Sequence, residues 1–479
     1  MLWDTVIGLE VHAQLKTKSK LFSSASTQYG ATANTQTSYI DAGLPGVLPV
    51  LNQEVVHMSI LFGLAIDATI NQDSYFERKN YFYPDLPKGY QISQFQCPIV
   101  RDGILEICLE DSQKKLIHIA RAHLEEDAGK SIHDAMPEYT GIDLNRAGTP
   151  LLEIVTTPCI HSATEATTYL KTLHQLLRFL DICDGNMQEG SFRCDVNLSL
   201  KPKDSPHLGT RVELKNLNSF RFIEKAIEFE IARQRDCLEN GETIAQETRL
   251  YSPEHNATYA MRGKETSHDY RYFPDPDLLP IQLTEDMLKQ IRANMPTLPQ
   301  QLRQQLQQDD TLAKEDIDFL LSTPALVNYY FSIRKKTRSA SKQIVNWLKG
   351  NYTAVLNERG IGLERTPITA ENFACLLDRI EENIISPKIA KTLLSQLVDS
   401  TQAVDELIKS FGYQTVNDEA MLQTLIQTLI QNFPEQVTAY QAGKEKLFAF
   451  FVGQVMKKTK GQADPSLVNK ILSAQLKNK

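Results

Sequence analysis

No two of the seven cysteines (Cys97, Cys108, Cys159, Cys183, Cys194, Cys237 and Cys375) stand at C-x-x-C spacing, so neither a zinc ribbon nor a disulfide framework is readable. Reduced thiols of a cytoplasmic protein are the expectation. No run approaches the ~18 apolar residues of a membrane span, and the opening MLWDTVIGLEVH has no basic segment ahead of an apolar one. Neither export nor membrane insertion is expected. A P-loop is missing too: HLEEDAGKS (123–131) ends in Gly-Lys-Ser, but Leu124 stands where the first glycine belongs. Net positive charge is lacking, the total being −8, which on its face disfavours a chain coated for nucleic acid. There is no internal repeat, and the Gln-rich QQLRQQLQQDD (300–310) reads as a polar helix face.

What is present is an ordinary globular composition, 42% hydrophobic and 23% charged with 22 Gly and 21 Pro, which excludes disordered, collagenous and coiled-coil chains. The 479 residues exceed one hydrophobic core and predict two or three domains. Up to about residue 280, short alternating runs punctuated by Gly, Pro, Asn and Asp predict antiparallel strands with some helices. Beyond the Pro-broken DYRYFPDPDLLPI (269–281) the spacing turns helical, with a further seam near 400–412.

Residues two apart on a strand share a face. That aligns Glu10, His12 and Gln14 opposite Leu9, Val11, Ala13 and Leu15. It likewise aligns Arg121, His123 and Glu125; Arg193, Asp195, Asn197 and Ser199; and Arg211, Glu213 and Lys215. Each is compatible with a half-buried strand whose outer face is solvated. Together they offer the carboxylates, imidazole, amides and cations that a divalent ion and a polyphosphate require. Glu10, His12, Glu125 and Glu153 are the first choices as ligands. The loop ERKNYFYPDLPKGYQISQ (77–94) interleaves aromatics with Arg78, Lys79 and Lys88, composition that suits either a self-packed surface loop or a clamp for a nucleic-acid end or an aminoacyl group. Asp269, Arg271 and Asp275 in the Pro-stiffened link have the same two readings.

At these residues the chain resembles a known family. GLEVHAQLKTKSKLF, GLPGVLPVLN, ERKNYFYPDLPKGYQISQ, HLEEDAGKS, NRAGTPLLEIV, RCDVNLS, RVELKNLNSFRFIEKAIEFE, HDYRYFPDPDL and AGKEKLFAFFVGQVMKKTKGQADPSLVNKIL look like the B subunits (GatB) of tRNA-dependent aspartyl/glutamyl amidotransferases, in order from residue 2 to about 476. The resemblance implies an α+β fold: an antiparallel-sheet cradle similar to the glutamine synthetase catalytic domain (1–290), an all-α helical domain (291–405) and a small YqeY-like tail (406–479). It implies ATP-dependent activation of the side-chain carboxylate of Glu-tRNA(Gln) or Asp-tRNA(Asn), with Mg²⁺, and amidation by ammonia from the partner amidase GatA, braced by GatC. A non-catalytic tRNA-binding scaffold in the same complex, or a synthetase acting on a free acid, are the competing readings.

Matched position by position, Glu10, His12, Glu125 and Glu153 fall at metal ligands, with Lys215 joining them as catalytic. Arg193, Asp195, Asn197, Glu213 and Asn218 fall at the nucleotide, and Lys79, Tyr81, Lys88 and Tyr90 near the tRNA end or ammonia entry. Many members bear four zinc-binding cysteines where this chain reads Ser23, Ala25, Ser38 and Asp41, so that zinc is expected to be absent. Finally, the acidic total hides basic segments: from residue 440 eight lysines, among them Lys457, Lys458 and Lys460, face only Glu445 and Asp464, giving +6, and RKKTRSASK (334–342) adds another. In the domains assigned to holding tRNA, phosphate contact is the expected use.

Overall fold

A computed structural model describes residues 2–110, 113–136, 138–261, 270–412, 419–444, 446–459, 463 and 465–477. Lys460 and Asp269, singled out above, lie outside them. The chain divides into two compact units, Met1–Pro299 and Gln300–Lys479.

The strand Trp3–Gln14 organises the first unit because its odd and even positions differ in kind. Leu9, Val11 and Ala13 have no solvent exposure, while Glu10, His12 and Gln14 stay partly open. Nine strands form the sheet, in the order Ala257–Ala260, Thr248–Ser252, Val212–Lys215, Phe192–Pro202, Trp3–Gln14, Pro150–Thr156, Lys114–Glu126, Val100–Cys108 and Thr69–Ile70. All pairs are antiparallel except Val212–Lys215 with Thr248–Ser252. Three helices, Gln53–Ala65, Ala163–Phe179 and Phe220–Glu239, share one apolar core with the inward strand residues. Each starts at a side-chain cap: Asn52 accepts from Glu54 N, Ser162 from Glu165 N and Ser219 from Phe222 N. The other face of the sheet carries the polar set. It is flanked by the small sheet of Glu77–Asn80, Tyr90–Ser93 and Phe273–Pro274, so the loop read as aromatic and cationic is mostly a hairpin.

The segment between residues 15 and 50 is tied down by a buried ion pair. Lys20 Nζ lies 2.9 Å from Asp41 Oδ2, with both side chains essentially inaccessible. Asp41 also accepts from Ser38 N at 2.8 Å, and Lys20 donates to Leu144 O. Three of the positions compared with the family's cysteines thus take part: Ser38 Oγ accepts from Asp41 N, and Ala25 O accepts from Lys20 N. Gly148 closes over this pair at φ +78, where an added Cβ would lie 2.4 Å from Asp41 Oδ1. Only glycine fits such a place.

The second unit is helical from Pro299–Gln307 to Pro465–Lys477. Tyr329, Tyr352 and Phe373 form an aromatic triangle with centroids 5.6–5.8 Å apart. The last helices have their own cluster around Leu422, Ile426, Phe451, Val455 and Leu472. The seam expected between 405 and 406 falls within the helix Val404–Phe411. That helix stays with the preceding ones, since Val404, Leu407 and Ile408 are buried and Asp405 pairs with Arg379 at 2.7 Å. In the basic run 334–342, Lys336 pairs with Glu371 and Lys342 with Asp316, leaving Lys335 and Arg338 exposed. Among the described residues no helix is long and apolar enough to cross a membrane.

Removing one partner of a buried pair strands the other charge. Lys20→Met should cost about 3–5 kcal/mol in urea unfolding. Lys20→Met/Asp41→Leu should recover part of it, and equal losses would contradict a coupled pair.

Candidate active site

Cross-strand register assembles the site. His12 stands opposite Glu153 on one side and Arg193 on the other, and Glu153 stands opposite His123. Arg193, His12, Glu153 and His123 therefore form one row across four strands. One step along, Asp195, Glu10, Val155 and Arg121 form the next.

His12 Nε2 lies 3.4 Å from both Glu125 Oε1 and Glu153 Oε2. His123 Nε2 reaches the same carboxylates, 3.3 Å from Glu153 Oε2 and 3.7 Å from Glu125 Oε2. Burial opposes protonation of both rings, yet hydrogen bonds and charge from Glu125 and Glu153 carry His12 up to about 10 and His123 up to about 9. Burial and Glu153 push Glu125 upward, but the two imidazoles outweigh them and hold it down at about 2. Glu153 is held well below the ordinary range, burial again being outweighed by the histidines. Two carboxylates and two imidazolium rings neutralise one another in a dry place.

Donor atoms of His12, Glu125 and Glu153 lie within 4.8 Å of one another, and those of Glu10, Asp195 and Glu213 do likewise. The geometry thus splits the expected ligand set: Glu10 belongs with the second cluster, because its register partner across the sheet is Asp195. Asn197 Nδ2 donates to Glu10 Oε1 at 2.8 Å, and Lys215 Nζ lies 2.6 Å from Asp195 and 2.9 Å from Glu213. Thr248 donates to Glu213 at 2.7 Å. Three carboxylates against one lysine leave an excess of negative charge. Burial first, then Glu153, raises the Glu10 carboxyl. One imidazole with two carboxylates, and three carboxylates beside it, are donor sets that hold divalent ions.

Beyond Glu10 the open face is cut back by small side chains. Gly8, Val155 and Thr156, with Pro158, Asn197, Ser199, Leu208, Gly209 and Arg211, line a cavity of about 250 Å³ that Glu10 also borders. Arg193 pairs with Asp127 at 3.0 Å. Asn218 stands apart, donating to Asn216 Oδ1 at 3.2 Å. On the flanking hairpin, Lys88 is bound to the buried Glu126, which also accepts from Ile92 N. Tyr90 lies under Arg78, whose guanidinium is 4.2 Å from the ring centre. Tyr81 contacts Gln91, and Lys79 sits 5.1 Å from the Tyr270 ring centre. Lys88 and Tyr90 are therefore engaged internally, while Lys79 stays partly open. Lys457 and Lys458, both exposed, end the helix Lys446–Lys458. Sequence reasoning puts His123 on the polar face with Arg121 and Glu125 without choosing it as a site residue, and misses Asp127.

A model of the GatB/GatE catalytic domain matches residues 5–289, and a GatB domain model matches 329–476. The chain belongs to the GatB family. The B subunit of the aspartyl/glutamyl-tRNA(Asn/Gln) amidotransferase of Legionella pneumophila (strain Lens) is 62% identical over 476 residues, 99% of this chain and all of the relative. Proteins of the same name from Nitrosococcus oceani and Coxiella burnetii (strain CbuG_Q212) are 52% and 50% identical over the same shares. Both acid clusters lie within the span matched by the GatB catalytic domain.

A metal-ligating imidazole must be neutral, so binding expels the His12 proton. Because that ring holds its proton up to about 10, Mn²⁺ affinity should rise between pH 7 and 9, by up to about tenfold per unit. Calorimetry in buffers of differing ionisation heat reads both affinity and proton release, and a flat profile would count against it. In the metal-free chain the sign is opposite. Both histidines gain protons on folding, so their stabilisation is full below 6.5 and disappears as pH rises through about 9–10.

Proposed function

We propose that this chain is the carboxylate-activating subunit of a glutamine-dependent tRNA amidotransferase, working in the cytoplasm. The side-chain carboxylate of Glu-tRNA(Gln) or Asp-tRNA(Asn) attacks the terminal phosphorus of ATP, and ADP leaves. Ammonia then adds to the acyl phosphate carbonyl, phosphate departs and a proton is lost, giving Gln-tRNA(Gln) or Asn-tRNA(Asn). The observation that carries this reading is the pair of acid clusters, side by side on one open face and bordered by a cavity.

His12, Glu125 and Glu153 on one side, and Glu10, Asp195 and Glu213 on the other, are the residues that would hold Mg²⁺. The ion supplies charge neutralisation to phosphoryl oxygens when bound. The cavity of about 250 Å³ suits the base and ribose of ATP, whose phosphates would then run over Glu10 toward His12. Lys215 keeps Asp195 and Glu213 in place and offers positive charge beside the phosphates. Arg193 and Asn197 fix their neighbours' orientation in the same way.

Ammonia comes from glutamine split by a GatA amidase subunit, with GatC completing the assembly. The sheet and its three helices form a cradle like that of glutamine synthetase, and the final helices form a YqeY-like domain. There Lys457 and Lys458, with Lys460 of the same segment, meet tRNA phosphates. The ion pair Lys20–Asp41 does for its loop what zinc does in relatives bearing four cysteines.

Glu125→Gln in the reconstituted three-subunit complex should lower ATP-dependent amidation by about 10²-fold or more while tRNA affinity is kept. Undiminished amide formation would leave the chain a scaffold. Gly8→Val should raise the KM for ATP about 10–100-fold by filling the cavity, with Mn²⁺ binding unaffected. An unchanged KM would move the nucleotide elsewhere.

A further inference from the structure

Arg101 and Arg121 are directly opposed across the strands Val100–Cys108 and Lys114–Glu126. Their neighbours Val100 and Ala122, also opposed, are fully buried, so the arginines share the open face. Like charges facing each other across a sheet are destabilising unless something lies between them. Neither arginine has an ion-pair partner among the described residues, whereas Lys88, Arg193 and Lys215 on the same side all do. The Nε of Arg121 is buried with no hydrogen-bond partner. Arg101 is exposed, so the pair runs from the rim inward to the row that holds Glu10.

Beside this pair stands an aromatic platform. Phe95 and Tyr272 stack face to face, 4.4 Å between centres and 10° from parallel, and Phe95 is 52% exposed. Leu124 N, on the strand that carries Arg121 and Glu125, donates to Gln94 Oε1 at 3.0 Å, which brings Phe95 and the ring stacked on it alongside that strand. Paired guanidinium groups recognise phosphate, and an exposed ring takes a base without regard to its identity.

We infer that Arg101 and Arg121 clamp a backbone phosphate at the single-stranded end of the RNA substrate while Phe95, backed by Tyr272, stacks on a base beside it. This rests on the reading of the chain as a subunit acting on aminoacyl-tRNA. The clamp sets how far the aminoacyl group reaches toward Glu125 and Glu153. A phosphate of ATP could satisfy the same guanidinium chemistry, and the measurements separate the two.

The test uses the full-length chain in its three-subunit complex, with unacylated tRNA in filter binding and ATP in calorimetry. Arg101→Gln and Arg121→Gln should each weaken tRNA about tenfold and reduce the slope of log Kd against log salt by about one. Arg121→Lys should keep the slope. Phe95→Leu should weaken tRNA about tenfold with the slope unchanged. Affinity for ATP should stay within about twofold throughout. Wild-type tRNA affinity in both glutamine variants overturns the inference, as does a loss confined to ATP, which would make the pair a nucleotide clamp. Should Arg121→Gln fail to fold, the exposed Arg101→Gln decides alone. Wild-type complex that forms no amide from acylated tRNA, ATP and glutamine refutes the functional reading itself; wild type that does so while the variants bind normally refutes only the clamp.

Discussion

The pairing of Trp3–Gln14 with Pro150–Thr156 is the constraint on which the rest of the first unit depends. Strand side chains alternate, so a slip of one residue would turn His12 and Glu10 into the core and Leu9 and Val11 outward. The register is held from the apolar side, where Leu9, Val11 and Ala13 have no exposure. It is also held at the far end, where Leu9 N donates to Thr156 Oγ1 at 2.9 Å and Ile7 bridges to Ile160. Hydrophobic packing beneath the sheet thus sets the distance between charges above it. A site built on paired strands keeps its spacing far better than one carried on loops.

The two acid clusters solve different electrostatic problems. Around Glu125 and Glu153 the protein supplies its own counter-charge, two imidazoles that take up protons when nothing else is near. Around Glu10, Asp195 and Glu213 it supplies one lysine for three carboxylates. The first cluster can therefore be dry and stable by itself, at the expense of proton release when a cation enters. The second keeps an unsatisfied negative field beside the cavity, where an ion arriving with a nucleotide meets least competition.

Much of this is legible in the sequence because it depends on period two alone. Alternation in VIGLEVHAQL, IARAHLE and RCDVNLS puts the right residues on one face, whereas the change from strand to helix texture, read at 269–281, comes well before the division of the chain at Pro299. Which residues on that face touch is not legible, since spacing says nothing of which strands are neighbours. Period two groups Glu10 with His12 for that reason, and only the opposition of Glu10 to Asp195 separates them. Lys88 reads as a surface cation until Glu126, thirty-eight residues on, is found beside it. The Lys20–Asp41 pair is a long-range contact of the same kind.

A charge matters to a polyanion only if nothing in the protein already holds it. By that measure the cations nearest the site are mostly spent: Arg78 on Asp275, Lys88 on Glu126, Arg193 on Asp127 and Lys215 on Asp195. The basic run 334–342 is partly spent in the same way on Glu371 and Asp316. Neither a net charge of −8 nor a local excess of lysine measures attraction for RNA. What does is the set of guanidinium and ammonium groups left unneutralised and facing one way, and opposing two arginines across a strand pair is a folding cost that a bound anion relieves.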